Sequence, residues 1–195
     1  CARALSDSFR DALGPHANPL PTLSVGVAIG HMMDPLEDLL RYARAAEKLA
    51  KLPDKNGLAI SFHVRNGGVL SFRAQWSANP DQFIWKLALL YRHDRVPDGA
   101  AYELKRIADF YATCTGDWAT SALKMDAYRS LTRKAFADDE ARDEVFDLLA
   151  GVNSPSDLLR FTSALLIARR IADASPAARG PNGTPSISQP SGETA

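Results

Sequence analysis

Ser24 and Gly26 stand two residues apart in the stretch TLSVGVAIG, and Lys51 follows one predicted helix later. A hydroxyl, a residue without a Cβ and an ammonium form a set that suits a nucleotide. A base or ribose can lie against the backbone where Gly26 leaves room, and lysine meets phosphate as a point charge. Each of these residues also has a purely structural use. Gly26 can admit a tightly packed helix, and a lysine that ends a helix is favoured by the helix dipole with no ligand present. Lys55 offers the same charge as Lys51. His31 lies just past the strand end, where sheet proteins place reactive groups, although a turn histidine held by a backbone hydrogen bond is the plainer reading.

Other titratable residues build no pattern. His16, His63 and His93 lack ligand spacing, so no metal site is assigned to them. Asp138, Asp139 and Glu140 open a helix, where negative charge is favourable on a solvated face. Arg160, Arg169 and Arg170 give the last helix a basic side that could meet RNA or a protein, with solvation as the default. No Walker loop, catalytic triad or paired-carboxylate motif is present, and no catalytic residue is assigned.

The elements that must position these residues follow from periodicity. Thr22 to Gly30 alternates: Leu23, Val25, Val27 and Ile29 point one way, and Ser24, Gly26, Ala28 and Gly30 point the other. The bulky face requires a core, whereas the small face lets a helix or a ligand approach the backbone. Asp34 as N-cap and Pro35 at the first position open a helix with Leu36, Leu39, Leu40, Ala43, Ala46, Leu49 and Ala50 on one stripe, spanning about 25 Å and ending near Lys51 before Pro53. GLAISFHV (57–64) is a second alternating strand, Asn66-Gly67-Gly68 signals a hairpin, and Val69 to Trp76 pairs back. This βαβ unit with an added hairpin strand is the core of an α+β, ferredoxin-like sheet.

Upstream, residues 1–13 make an amphipathic helix with Ala4, Leu5, Phe9, Ala12 and Leu13 on its stripe, and the segment 14–21 is a Pro/Gly loop. Downstream the pattern turns wholly helical, broken at Asn79-Pro80, Pro97-Asp98-Gly99, Gly116-Asp117, Gly151 and Ser154-Pro155. The expected organisation is therefore a sheet domain over 1–76, a helical bundle over 79–173 and a disordered tail over 174–195. The chain opens with Cys1 inside a helix and its sheet wants more strands, so it is expected to be cut from something longer.

Composition narrows the class. The 195 residues are 46% hydrophobic and 24% charged, as in ordinary soluble proteins. Lys+Arg and Asp+Glu are both 23, which argues against a protein that coats nucleic acid by bulk charge but leaves room for a local basic groove. No apolar run approaches a membrane span, no signal peptide is visible, and Cys1 and Cys114 read as free thiols in a cytoplasmic protein.

With these residues laid out, the sequence resembles the second palm domain of the large polymerase/cyclase-like subunit of type III CRISPR effector complexes, particularly the Cmr (III-B) branch. The resemblance is carried by LSVGVAIGHMMDPLEDLL, ARAAEKLAK and NGLAISFHVRNGG: Ser24 and Gly26 on a strand running into His31, Pro35-Leu36 opening the helix, Ala50-Lys51 ending it, and Arg65 and Gly67 in the turn. It is best over residues 1–76, and residues 79–173 look like the family's helical C-terminal domain. Diguanylate cyclases share the strand-helix-Lys order more loosely.

The resemblance implies a nucleotide-cyclase-type palm in an antiviral RNA-guided complex. Such palms use ATP with Mg or Mn to make cyclic oligoadenylate when target RNA binds. It implies as partners the other subunits of the complex, crRNA and target RNA through them, and ATP, with no membrane. In the family the metal is held by a Gly-Gly-Asp-Asp hairpin just before the first helix, a motif this sequence lacks, so the chain alone is expected to be inactive. By resemblance Ser24, Gly26 and Lys51 are nucleotide-binding. Two other readings stand beside this one: a non-catalytic module docking small helical subunits or RNA, and a truncated diguanylate-cyclase-like regulator.

Overall fold

The alternation in the two apolar stretches becomes strand pairing in the computed structural model, which describes residues 1–13, 21–64, 68–114, 116 and 118–174. Strand β1 (Val25–Ile29) pairs in parallel with β2 (Gly57–His63), placing Val25 opposite Leu58 and Ile29 opposite Phe62. β2 turns back on β3 (Val69–Gln75) in antiparallel register, with Ile60 opposite Phe72. The order β1-β2-β3 is the expected βαβ unit with a hairpin strand added. The hairpin tip at 65–67, the loop at 14–20 with His16, and the tail from 175 lie outside the described residues.

β1 is shorter than the expected Thr22–Gly30 because the residues before it do not join the ladder. The carbonyl of Leu23 instead accepts the indole Nε1–H of Trp76 at 2.8 Å. Helix α1 (Ala2–Leu13) precedes it, and the buried phase of this helix differs from expectation. Ser6 is buried while Ala4, Leu5 and Ala12 face solvent. Arg3 sets that phase: it pairs with Asp81 and stacks over the Trp76 ring, 4.9 Å from its centroid, which anchors the Arg3 side of the helix against the chain.

The crossover helix α2 (Leu36–Lys51) begins without the expected side-chain cap. Pro35 occupies the N-cap position, and the Asp34 carboxylate accepts the His31 backbone N–H at 2.9 Å, closing the preceding turn instead. Leu36 and Leu40, expected on the apolar stripe, point outward. The inward face is carried by Leu39, Tyr42, Ala43, Ala46, Leu49 and Ala50, with both Ala46 and Ala50 fully buried.

A 3-10 turn at Trp76–Ala78 leads into the helical region: α3 (Pro80–Arg92), α4 (Ala100–Tyr111), α5 (Trp118–Thr132), α6 (Asp139–Leu149) and α7 (Pro155–Ala174). The sequence signals place these starts well. Asn79 sits in the left-handed region with Pro80 following, and Asp138 caps α6 by accepting the Ala141 N–H. Two hydrogen bonds tie the start of α7: Ser154 Oγ accepts Asp157 N–H, and Asp157 Oδ2 accepts the N–H of Asn153.

Helix α7 is the spine of this region, packing on α3, α4 and β3. Its Leu158, Leu165 and Ile167 are fully buried. The sheet's bulky face joins the same core: Leu58, Ile60 and Phe72 are buried there, Phe72 stacks on Phe83 of α3 at 5.7 Å, and Phe83 meets Phe161 of α7 at 6.1 Å. Burying each such side chain contributes about 2–3 kcal/mol. Among the described residues no helix is long and apolar enough to cross a membrane.

Candidate functional site

Residues in register across a sheet share a face, so the partner of Gly26, Ala59, lies on the α2 side together with Gly57 and Ser61. This face is made of small residues, and α2 fills the space they leave. A Cβ built on Gly26 would lie 2.2 Å from the Glu47 backbone nitrogen and 2.4 Å from the Ala46 carbonyl carbon. On Gly57 it would lie 3.0 Å from the Ala50 oxygen. The expectation that a nucleotide lies against Gly26 is therefore corrected. The glycine lets helix backbone meet strand backbone, and no ligand fits between two main chains in van der Waals contact.

The contact between Gly26 and Glu47 also locates the other two residues. Along the strand Ser24 is about 7 Å from Gly26. Along the helix Lys51 is about 6 Å beyond Glu47. β1 and α2 run in opposite senses, so both steps lead to the same end of the unit. Ser24 is half-buried, and its hydroxyl has no hydrogen-bond partner among the described residues. Lys51 is half-exposed and its Nζ donates to Glu47 Oε1 at 2.5 Å, one turn back on the same helix. That bond holds the Glu47 carboxyl below its usual range. The structure thus brings Ser24 and Lys51 to one end and leaves Gly26 behind them, under the helix.

The remaining candidates resolve into structural roles. His31 is an exposed turn residue whose Nδ1 accepts the Met33 N–H at 3.2 Å. Lys55 sits in a left-handed turn, and its carbonyl accepts Arg73 Nη2 at 2.9 Å. Arg160 pairs with Asp157 and Arg169 with Asp98, both at 3.0 Å, so two cations of the basic side of α7 are neutralised. Asp138 and Glu140 both pair with Arg95 at 3.1 Å. Among the described residues no group of three or more His, Cys, Asp or Glu side chains could hold a metal ion. Cys1 and Cys114 are free thiols.

Two features were missed by reading the sequence. Tyr42 of α2 stacks flat on His63 of β2, ring centroids 3.6 Å apart, and the buried His63 Nε2 has no partner. Burial lowers the His63 pKa, with Asp34 opposing and Arg41 assisting. The other is a groove between α4 and α5 that gathers Arg106 of α4, Arg129 of α5, and Arg133 and Lys134 from the turn that follows α5. The pair Arg129 and Arg133, four apart on one helix, was its sequence signal.

Residues 1–59 match a family model described as Cas10/Cmr2, second palm domain. The match covers α1, β1, α2 and the first three residues of β2, ending at Ala59 beside Gly26. No curated protein and no solved structure matches the chain.

Proposed function

We infer that this chain, whose residues 1–59 match the Cas10/Cmr2 second palm domain, is part of the large subunit of a type III CRISPR effector complex. The single observation that carries this reading is the family match, falling on a segment that folds as helix, strand, helix and strand. The parent is a nucleotidyltransferase-type enzyme of the Cmr branch. It joins ATP into cyclic oligoadenylate when guide and target RNA are bound, as part of antiviral defence, in company with the other subunits of the complex.

Within that activity the chain's own contribution is a contact to the nucleotide. The Ser24 hydroxyl is free to bond ribose or phosphate oxygen. Among the described residues the Lys51 ammonium is held only by an exposed carboxylate on its own helix, a partner that a phosphate can replace. Gly26 contributes by letting α2 seat closely, which fixes where Lys51 ends. A divalent Mg or Mn ion, when bound, would stabilise charge on the phosphates. The described residues do not fit that metal, so no step is assigned through it.

A second reading is favoured by the coverage of Gly26: the palm is a scaffold, and the helical region docks small helical subunits or RNA. The complex containing this chain, supplied with guide and target RNA, labelled ATP and Mg or Mn, separates the two. Oligoadenylate formation supports the first reading, and its absence from an intact complex supports the second. Lys51→Ala is expected to weaken ATP use about tenfold, the scale of a lost charge-assisted hydrogen bond. Unchanged turnover and ATP affinity would remove Lys51 from the site.

A further inference from the structure

The basic side of the chain that stays unmatched lies in the helical region. Helices α4 and α5 pack side by side, and a groove of about 600 Å³ runs between them. Its two carboxylates are already engaged. Asp126 Oδ2 accepts the Tyr111 hydroxyl at 2.6 Å, which pushes the Tyr111 pKa up to about 12. Glu103 accepts Arg106 Nη2 at 3.0 Å. The side chains of Arg129, Arg133 and Lys134 have no ion-pair or hydrogen-bond partner among the described residues. With Arg106 they set four cations against the two carboxylates Glu103 and Asp126, so the groove lining is net basic in a chain whose formal net charge is zero.

We propose that the α4–α5 groove binds the phosphodiester backbone of single-stranded RNA, with a base against Phe110. Arg129 of α5 and Arg133, one residue past its end and still bonded through its N–H to the Arg129 carbonyl at 3.3 Å, are one turn apart, about 6 Å, a separation that neighbouring phosphates of an extended strand can meet. Phe110 lines the groove about 10 Å along α4 from Glu103. It is 63% exposed, set edge-on to Tyr111 at 5.2 Å, and offers its ring to solvent. Cations that follow a backbone beside an exposed aromatic are the two parts of a sequence-tolerant single-strand site. An acidic helix would satisfy the cations but has no use for the ring. The choice of RNA as the strand rests on the RNA-guided reading above, whereas the groove itself does not depend on the palm.

The test is fluorescence anisotropy of a labelled oligouridylate of roughly 20 nucleotides titrated with the full chain at about 50 mM and about 200 mM salt. Three phosphate contacts predict a log–log salt slope near about −2. The double reversal Arg129→Glu/Arg133→Glu is expected to weaken binding by about tenfold or more and to flatten that slope. A matched reversal on the solvent side of α2, Arg44→Glu/Lys48→Glu, changes net charge equally and should shift affinity by no more than about twofold. Phe110→Ala should lose about fivefold with the slope unchanged.

All substituted side chains except Phe110 are charged and exposed, and Phe110 is exposed too, so an unchanged thermal melt will show that the fold survives. The proposal is overturned if the wild-type chain leaves the RNA free at low salt, or if both double reversals weaken binding equally. It is also overturned if Phe110→Ala is silent while a polyglutamate of equal length displaces the RNA, which marks an acidic protein surface. The Lys51→Ala experiment reads ATP at the palm, so either result can fail without the other.

Discussion

The two faces of the three-stranded sheet solve the same problem in opposite ways. On the α2 side the strands offer Gly26, Gly57, Ala59 and Ser61, the helix offers Ala46 and Ala50, and main chain approaches main chain. On the other side Leu58, Ile60 and Phe72 reach out and interlock with Phe83 and Phe161 across side-chain distances. The difference is one of compliance. Side chains can change rotamer when a neighbour changes, but a backbone nitrogen 2.2 Å from an intruding Cβ can move only by shifting its whole helix. The small face therefore fixes geometry, and the bulky face carries most of the burial.

Four substitutions or conditions break or sharpen that contrast, and the effects differ in size. Phe72→Ala should be the most damaging, costing about 4 kcal/mol in a denaturant titration, because it removes a buried ring that links the sheet to α3 and α7. The volume-conserving Leu58→Met on the same face should cost less than about 1.5 kcal/mol, as expected where side chains repack. Gly26→Ala comes next at about 3 kcal/mol, although it adds only one methyl group. Were Gly26→Ala tolerated as well as Leu58→Met, the claim that the small face is rigid would fail.

The smallest effect is a pH dependence at the far end of the small face. Burial lowers the His63 pKa, so the folded state binds that proton less readily than the unfolded chain does. Its contribution is complete above the ordinary histidine pKa of about 6.5 and is lost as pH falls below it. Melting temperature should therefore decline on that acid side, and His63→Phe, which keeps a ring against Tyr42, should remove this component. Identical pH profiles for the two proteins would show that His63 is not strained there.

Much of the architecture could be read from residue order. Alternation marked β1 and β2, and Asn79-Pro80, Asp138 and Ser154-Pro155 marked three helix starts, because strand faces and caps are local physics. What lay against Gly26 could not be read, since a missing Cβ admits a helix and a ligand equally. Leu36 and Leu40 obeyed helical spacing and still face outward, because near its start α2 turns toward the sheet the side that carries Leu39 and Tyr42. The basic residues followed the same logic. Arg160 and Arg169 stood out along one helix but are paired, whereas the groove cations come from α4, α5 and the turn after α5 and gather only when the chain folds.

The clasp around Trp76 gives the molecule a built-in optical probe. Of its three tryptophans, Trp76 is 5% exposed while Trp85 and Trp118 are more than half exposed. The shielded indole donates to the Leu23 carbonyl beneath the guanidinium of Arg3, so its emission belongs to the seam where the first helix, the first strand and the third helix meet. A soluble quencher silences the other two first, leaving a signal that reports on that junction alone.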